Sequence, residues 1–485
     1  MTALAVLSIA SEIYPLVKTG GLADVAGALP AALAREDVAI RTLAPGYPAV
    51  VAKLESAEPA RVYASLFGGP ARVLAGRAAG LDLFVLDAPH LFERAGNPYL
   101  GPDGRDWGDN AHRFAALARV GADLANGAVP GYAPDVVHAH DWQAALAPVY
   151  LHYDGGGPHP KTILTIHNLA FQGHYPAAVL GEIGLPSSAM SIDGVEYFKG
   201  VGYLKGGLQF ADRITTVSPT YAREIMTPEF GMALDGLLRA RASVVEGIVN
   251  GIDDSVWNPA TDPELVVNYS ALRIDMRVRN KAALQQRLGL AVAAAPPLFG
   301  VISRLTLQKG LDLLLDEAPD IVGRGGQLAL LGSGDKGLED GFRAAARAHP
   351  GAVACVFGYD EGLSHLMQAG IDFILVPSRF EPCGLTQLCG LRYGATPIVA
   401  RVGGLADTVI DANDAALSAG VATGVQFEPP TTPSVAHALK RAFALYDDVA
   451  AMRRTRLNGM RADVSWRGPA KRYAALYRAL ARSEQ

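Results

Sequence analysis

The chain is predicted to form two doubly wound, Rossmann-like α/β domains, and three observations carry that prediction. Short β-rich runs alternate with longer helical patterns in both halves, the signature of parallel sheets covered by helices on both faces. The pentapeptide Gly-Gly-Leu-Ala-Asp occurs twice, at Gly20 to Asp24 and at Gly403 to Asp407, each time after an apolar run and at the start of a helical pattern. Between Val249 and Pro263 the periodicity gives way to Asn-Gly-Ile-Asp-Asp and Trp-Asn-Pro-Ala-Thr-Asp-Pro, dense in turn formers, which marks a crossing between domains.

In chain order, the first domain, residues 1–248, takes its strands from Leu4 to Ala10, Ile40 to Ala44, Leu81 to Leu86, Asp135 to His138, Thr162 to His167 and Arg213 to Val217. The second, residues 249–461, opens with the crossing, passes a local linker at Ala291 to Pro297, and continues through Phe299 to Ser303, Leu328 to Gly332, Val353 to Phe357, Ile371 to Pro377 and Pro397 to Ala400. A closing helix lies within 462–485, with Ser465 as its expected N-cap and an apolar stripe at Tyr473, Leu476, Tyr477 and Leu480. That stripe suits packing back on the first domain or against the second.

At 485 residues each domain has a substantial core to bury, on a prior of roughly 150 residues per domain. A net charge of −5 with no Lys/Arg-rich tract argues against nucleic acid or an anionic membrane as partner. Three cysteines without regular spacing, Cys355, Cys383 and Cys389, fit a reduced cytoplasmic protein rather than a disulfide framework. The run Ala3 to Ala10 is read as a first strand, being too short and lacking the basic residues of a signal peptide. No apolar stretch reaches the roughly 18 residues of a membrane span.

In open parallel sheets, ligands bind beyond the carboxyl ends of the strands, so the polar residues just after each strand are the functional candidates. After the first strand, Lys18 and Thr19 precede Gly20, Gly21 and Asp24. Glycines at a helix start expose N–H groups that suit a phosphate, and the lysine adds a point charge. A structural turn with a solvated lysine is the plainer reading. His138-Ala139-His140-Asp141-Trp142 invites a metal, but neighbouring strand positions face opposite ways and no further ligands complete a site; Asp141 as helix N-cap is the simpler role, compatible with a hydrogen bond to a sugar hydroxyl. His167 and Asn168 are polar at an apolar strand's end, where a lone histidine also serves structure. In the second domain, Arg304 and Lys309 form a cationic pair suited to a diphosphate leaving group. Leu330-Leu331-Gly332-Ser333-Gly334-Asp335 is a weaker glycine turn. The run Ser378-Arg379-Phe380-Glu381-Pro382-Cys383-Gly384-Leu385-Thr386-Gln387 sets an acid and a thiol before a helix: Glu381 suits sugar hydroxyls, and the helix start at Gly384, Leu385 and Thr386 suits phosphate. A catalytic thiol at Cys383 is disfavoured by the neighbouring acid and by the lack of a histidine nearby in sequence.

These motifs together, with Thr-Ile-His-Asn, Val-Asn-Gly-Ile-Asp, Ser-Arg-Leu-Thr and Gln-Lys-Gly, closely resemble the bacterial glycogen synthases and their starch synthase relatives, in order and nearly end to end. The resemblance implies a B-type glycosyltransferase fold, with two domains facing a deep cleft. It implies transfer of glucose from ADP-glucose to the non-reducing end of an α-1,4-glucan primer, with retention, without cofactor and without a metal at the reaction centre. By matching position it assigns Lys18 to the nucleotide sugar, Arg304 and Lys309 to the pyrophosphate, and Glu381 and Cys383 to the donor glucose. Asp141, His167 and Asn168 contact that glucose, Asn250 and Tyr359 line the donor site, and Tyr99, in Asn97-Pro98-Tyr99-Leu100-Gly101, lies near the sugar cleft. For mechanism it implies same-face attack assisted by the leaving diphosphate, with the His167 backbone facing a cation-like sugar. The chain departs from the pattern at Leu307, where tryptophan is usual, and at Cys389-Gly390, where Tyr-Ala is usual. A non-catalytic glucan-binding scaffold, a nucleotide-sugar isomerase and a pyridoxal-phosphate phosphorylase are the rival readings of such a chain.

Overall fold

The computed structural model describes residues 3–155 and 159–482. It divides into two compact units, the chain up to Asn250 together with the segment from Trp466, and Gly251–Ser465.

Among the described residues, the first unit is built on a nine-stranded sheet. In chain order the strands of this unit are β1 (Leu4–Ile9), β2 (Val38–Pro45), β3 (Glu55–Leu66), β4 (Gly69–Ala78), β5 (Leu81–Asp87), β6 (Val136–His140), β7 (Lys161–Ile166), β8 (His174–Pro176), β9 (Glu196–Tyr197), β10 (Gly200–Gly202), β11 (Arg213–Thr216) and β12 (Val245–Gly247). The large sheet runs β12-β11-β7-β6-β1-β2-β5-β4-β3, and β8, β10 and β9 form a small separate one. The parallel strands are apolar nearly throughout because helices cover both faces; Val6, Leu7 and Ile9 are fully buried. From β1 the chain first moves outward through β2 and β5, then returns to pair β6 on the other side of β1, Val6 against Val136. The order reverses there, and such a switch point leaves a crevice at the strands' carboxyl ends.

The hairpin of β3 and β4 was not legible as strand. It extends the parallel sheet with antiparallel pairing, so β3 is an edge, mostly exposed, polar and interrupted by Pro59. Its turn is Phe67-Gly68, both at positive φ (46° and 98°), the two-residue geometry that matches strand twist.

The second unit carries β13 (Leu298–Ile302), β14 (Gln327–Gly332), β15 (Val353–Phe357), β16 (Phe373–Val376), β17 (Thr396–Ala400) and β18 (Val425–Phe427), all parallel, in the order β15-β14-β13-β16-β17-β18. Its reversal falls between β13 and β16, paired at Phe299 and Phe373.

The closing helix, Arg467–Arg482, packs on the first unit, where Tyr473, Ala474, Tyr477 and Leu480 join Val6, Leu29, Val136 and Ile163 in one apolar cluster. Ser465, the expected N-cap, stands two residues ahead of Arg467. It bridges Ile252, and its hydroxyl donates to Asp463. No described helix is long and apolar enough to cross a membrane.

The turn-rich segment after Asn250 is anchored within the second unit by a buried polar cluster. Trp257 stacks on His365 (ring centroids 4.0 Å apart), and His365 Nδ1 and the Tyr393 hydroxyl both meet Asp262 Oδ2, at 2.7 and 2.5 Å. Burial alone would lower the His365 pKa, but hydrogen bonds and charge from Asp262, and then Glu361, outweigh it and raise the value from 6.5 to about 9. A group with its folded pKa raised stabilises fully below its unfolded pKa and loses that contribution as pH rises through the folded one. Here the window runs from 6.5 to about 9, worth roughly 3 kcal/mol. His365→Gln is therefore expected to destabilise the protein by about that much at pH 6 and by much less at pH 9.5, read by urea denaturation; an equal loss at both pH values would contradict the linkage.

Candidate functional site

In the first unit, the candidates gather where β1, β6 and β7 end. The loop after β1 doubles back so that the buried Glu12 carboxylate faces the glycine turn. One oxygen, Oε2, accepts the backbone N–H of Thr19 and that of Gly20 (3.2 Å), and Oε1 accepts the Thr19 hydroxyl (2.6 Å) and the Tyr99 hydroxyl (2.5 Å). Ser11 Oγ lies 2.8 Å from the same tyrosine oxygen. Tyr99 is seated by fully buried Arg113, which donates to the carbonyls of Leu91 and Pro98, and by Asn110, which donates to the Tyr99 carbonyl. Burial, then the Glu12 charge, raises the Tyr99 pKa well above its ordinary value, so its hydroxyl remains a donor. The helix Gly21–Ala34 starts at once, with Gly20 at the cap position, and the amides of Gly21 and Leu22, among the first of the helix, have no acceptor within it. Lys18 Nζ pairs with Asp24 Oδ1 at 2.8 Å, both side chains about 30% exposed.

Asp141 follows β6 directly, at φ +55°, a left-handed conformation that costs a non-glycine residue energy and recurs at functional sites. The expected N-cap role is not what its side chain does: His140 holds the cap position, and Asp141 Oδ1 accepts the amides of His167 (2.7 Å) and Asn168 (3.4 Å) beyond the end of β7. Its carboxyl thereby fixes the backbone of the two residues after the neighbouring strand. Burial, with the Glu12 charge adding, outweighs those two hydrogen bonds and pushes its pKa up to about 7. His140 Nδ1 lies 3.0 Å from His167 Nε2, while His138 is hydrogen-bonded to the Tyr477 hydroxyl and to Thr165, its ring centroid 4.0 Å from that of His140 and the planes tilted by 37°. Burial holds all three histidines neutral, with pKa values below the ordinary one, about 3 for His140. Asn250 is buried and its Oδ1 has no partner among the described residues.

In the second unit, the candidates gather where β13 and β16 end. Lys309 closes a tight turn, Leu307–Lys309, and Gly310 follows at φ +64°; a Cβ there would lie 2.0 Å from the Pro377 carbonyl, so only glycine lets the turn press against the end of β16. Lys309 Nζ then reaches both oxygens of Glu381, at 2.8 and 2.6 Å, and the buried Ser378 hydroxyl donates to Glu381 Oε2 at 2.7 Å. Arg379 sews the two loops together: its amide donates to the Gln308 carbonyl, and its guanidinium binds the Leu307 carbonyl and the Asp312 carboxylate. Lys309, Glu381, Gly384, Leu385 and Thr386 line one small cavity of about 50 Å³. Buried Cys383 lies beside it, in no disulfide.

Two candidates stand apart from that cluster. Arg304 is exposed with no ion-pair partner among the described residues, and Tyr359, 74% exposed after edge strand β15, hydrogen-bonds Glu361. Of the two departures, Leu307 is 67% exposed, whereas Cys389 is buried in the helix Thr386–Tyr393. Glu12, Ser378 and Arg379 were not singled out as site residues in the sequence. Ser378 and Arg379 lie within the quoted run, and Glu12 lies only six residues before Lys18, but nothing in residue type shows which amides a carboxylate will meet.

Residues 5–240 match the starch synthase catalytic domain family, and residues 286–456 match the group 1 glycosyl transferases. A glycogen synthase of Rhodopseudomonas palustris is 62% identical over 480 residues, covering 99% of both chains, and one of Acidiphilium cryptum is 58% identical over 475 residues, covering 98% of this chain and 99% of the relative. Among solved structures, the catalytic domain of starch synthase IV from Arabidopsis thaliana bound to ADP and acarbose matches with a TM-score of 0.90 at 33% identity, covering 99% of this chain and 100% of that one. Sucrose-phosphate synthase from Thermosynechococcus elongatus, at TM-score 0.59 and 17% identity with coverage of 99% and 100%, shares the fold alone. Two Rossmann-like domains of this kind make a glycosyltransferase of the B-type fold. The chain belongs to the glycogen and starch synthase family.

Proposed function

We propose that the chain transfers glucose from ADP-glucose to the non-reducing end of an α-1,4-glucan, the elongation step of glycogen synthesis. The observation that carries this reading is the Lys309–Glu381–Ser378 cluster at the switch point of the second sheet, in a chain of this family. Negative charge grows on the diphosphate as the glycosidic bond breaks, and Lys309, Arg304 and Lys18 are the cations assigned to meet it. Glu381, held by Lys309 and Ser378, is assigned to position the donor glucose. Asp141 is assigned to the same sugar and, through the amides it binds, to setting the His167 backbone against the cation-like transition state. Tyr99, Asn168, Asn250, Tyr359 and Cys383 complete the assigned contacts. Retention then follows from attack on the face the diphosphate leaves, with a diphosphate oxygen taking the acceptor's proton, since both Glu381 oxygens are already engaged by Lys309. A covalent glucosyl adduct trapped on Glu381 or Asp141 would overturn that step. The ADP held by the starch synthase relative supports adenosine as the donor's nucleoside.

The test is glucose incorporation into a glycogen primer from ADP-glucose against UDP-glucose, with nucleoside diphosphate release followed in parallel. Primer-dependent ADP release, at least about 10-fold faster than UDP release, is expected, a difference of roughly 1.4 kcal/mol in transition-state binding. Donor turnover without primer would instead support an isomerase, and glucan binding without any turnover a scaffold.

A further inference from the structure

The first glycine turn is not an open anion site, because the chain supplies its own anion. The N–H groups of Thr19 and Gly20 converge on Glu12 Oε2, and the carboxylate's other oxygen takes the hydroxyls of Thr19 and Tyr99. Glu12 is only 3% exposed, so these contacts form in a region of low dielectric where charge-assisted hydrogen bonds are strong. Tyr99 lies 87 residues away in sequence, and the carboxylate, with the Ser11 hydroxyl beside it, joins the Tyr99 loop to the glycine turn. A phosphate cannot use the same two amides without displacing Glu12 and meeting its charge. What the turn leaves partly exposed is the Lys18–Asp24 pair.

We propose that Glu12 is a positioning residue, an internal anion that occupies the Thr19–Gly20 amides and thereby fixes both the Lys18–Asp24 loop and the Tyr99 hydroxyl for the transfer reaction. This rests on the glucosyl-transfer reading, and wild-type turnover in every assay separates a failure of that reading from a failure of this inference. Glu12→Ala removes the anion and empties the space it fills. Its kcat is expected to fall about 100-fold, as a misplaced reacting group costs. Formate, a carboxylate small enough to enter the vacated space, is expected to restore at least 5-fold of that loss, roughly 1 kcal/mol, while leaving the wild-type rate unchanged. A residue that merely packs would show no such rescue. Glu12→Gln, which keeps the shape and one acceptor oxygen for the amides, is expected to lose no more than about 10-fold in kcat and guards against a Glu12→Ala variant that does not fold. Combined with Tyr99→Phe, it is expected to be little worse than the poorer of the two single variants, because both changes break one linkage. Wild-type rates in Glu12→Ala, a folded and inactive Glu12→Ala that formate does not rescue, or fully additive losses in the Gln/Phe pair would each overturn the proposal.

Discussion

Glu381→Ala is expected to lower kcat for glucose transfer by about 10²- to 10³-fold, the loss typical of removing one preorganised polar group from a transition-state site. The donor KM is expected to change less than about 3-fold, because the cationic groups assigned to the diphosphate remain. Lys309→Ala should differ in kind. It removes a charge assigned to the leaving group and also strands the Glu381 carboxylate, 8% exposed, with the Ser378 hydroxyl as its remaining side-chain partner. Stranding a buried charge costs more than the pair was worth, so both kcat and KM should suffer. The two side chains meet at 2.6 and 2.8 Å, which makes them one unit, and the double variant should be little worse than the poorer single one. Steady-state kinetics on the four proteins decides it. Full rates in either single variant would remove these residues from the reaction, and strict additivity would separate their roles.

The sequence revealed the two doubly wound units because their parallel strands are covered on both faces and therefore read as apolar runs, as at Leu298–Ile302 and Phe373–Val376. It missed the β3–β4 hairpin, whose outer edge carries no such pattern, and the strands β8, β9, β10, β12 and β18, too short to show any. At the site, the order of motifs marked which strand ends matter, because a switch point follows from topology. The partners of each polar group were not legible. Asp141 looks like a helix cap from its own neighbours, and its bond to the His167 amide depends on how β6 and β7 align, His140 beside Thr165. The glycine turn at Gly20 looks like a phosphate cradle until Glu12 is found in it. Local sequence specifies what a turn can bind, and only the fold shows what it has already bound.

The two Gly-Gly-Leu-Ala-Asp segments make the same point, since the second does different work. After β17 it begins the short helix Gly403–Thr408, and the Gly404 amide donates to the carbonyls of Glu381 and Pro382, at 3.1 and 3.2 Å. A Cβ at Gly404 would lie 2.3 Å from the Cys383 carbonyl oxygen and 2.4 Å from its Cα. Both are backbone atoms, so no rotamer change relieves the clash, and either the helix or the Glu381–Cys383 loop must move. Gly404→Ala is expected to cost about 1–3 kcal/mol in stability, as other overpacking substitutions do. The larger effect should be on kcat, by about 100-fold, because the loop that shifts carries Glu381 and a displacement near 1 Å is enough to misalign a reacting group. Gly20→Ala provides the contrast: a Cβ there meets nothing within 4 Å and the backbone is extended, so that substitution should leave stability nearly unchanged. Thermal denaturation and kcat for the two variants measure both effects. If Gly404→Ala kept the wild-type rate, the second segment would not be the support of the Glu381 loop, and its glycines would need another explanation.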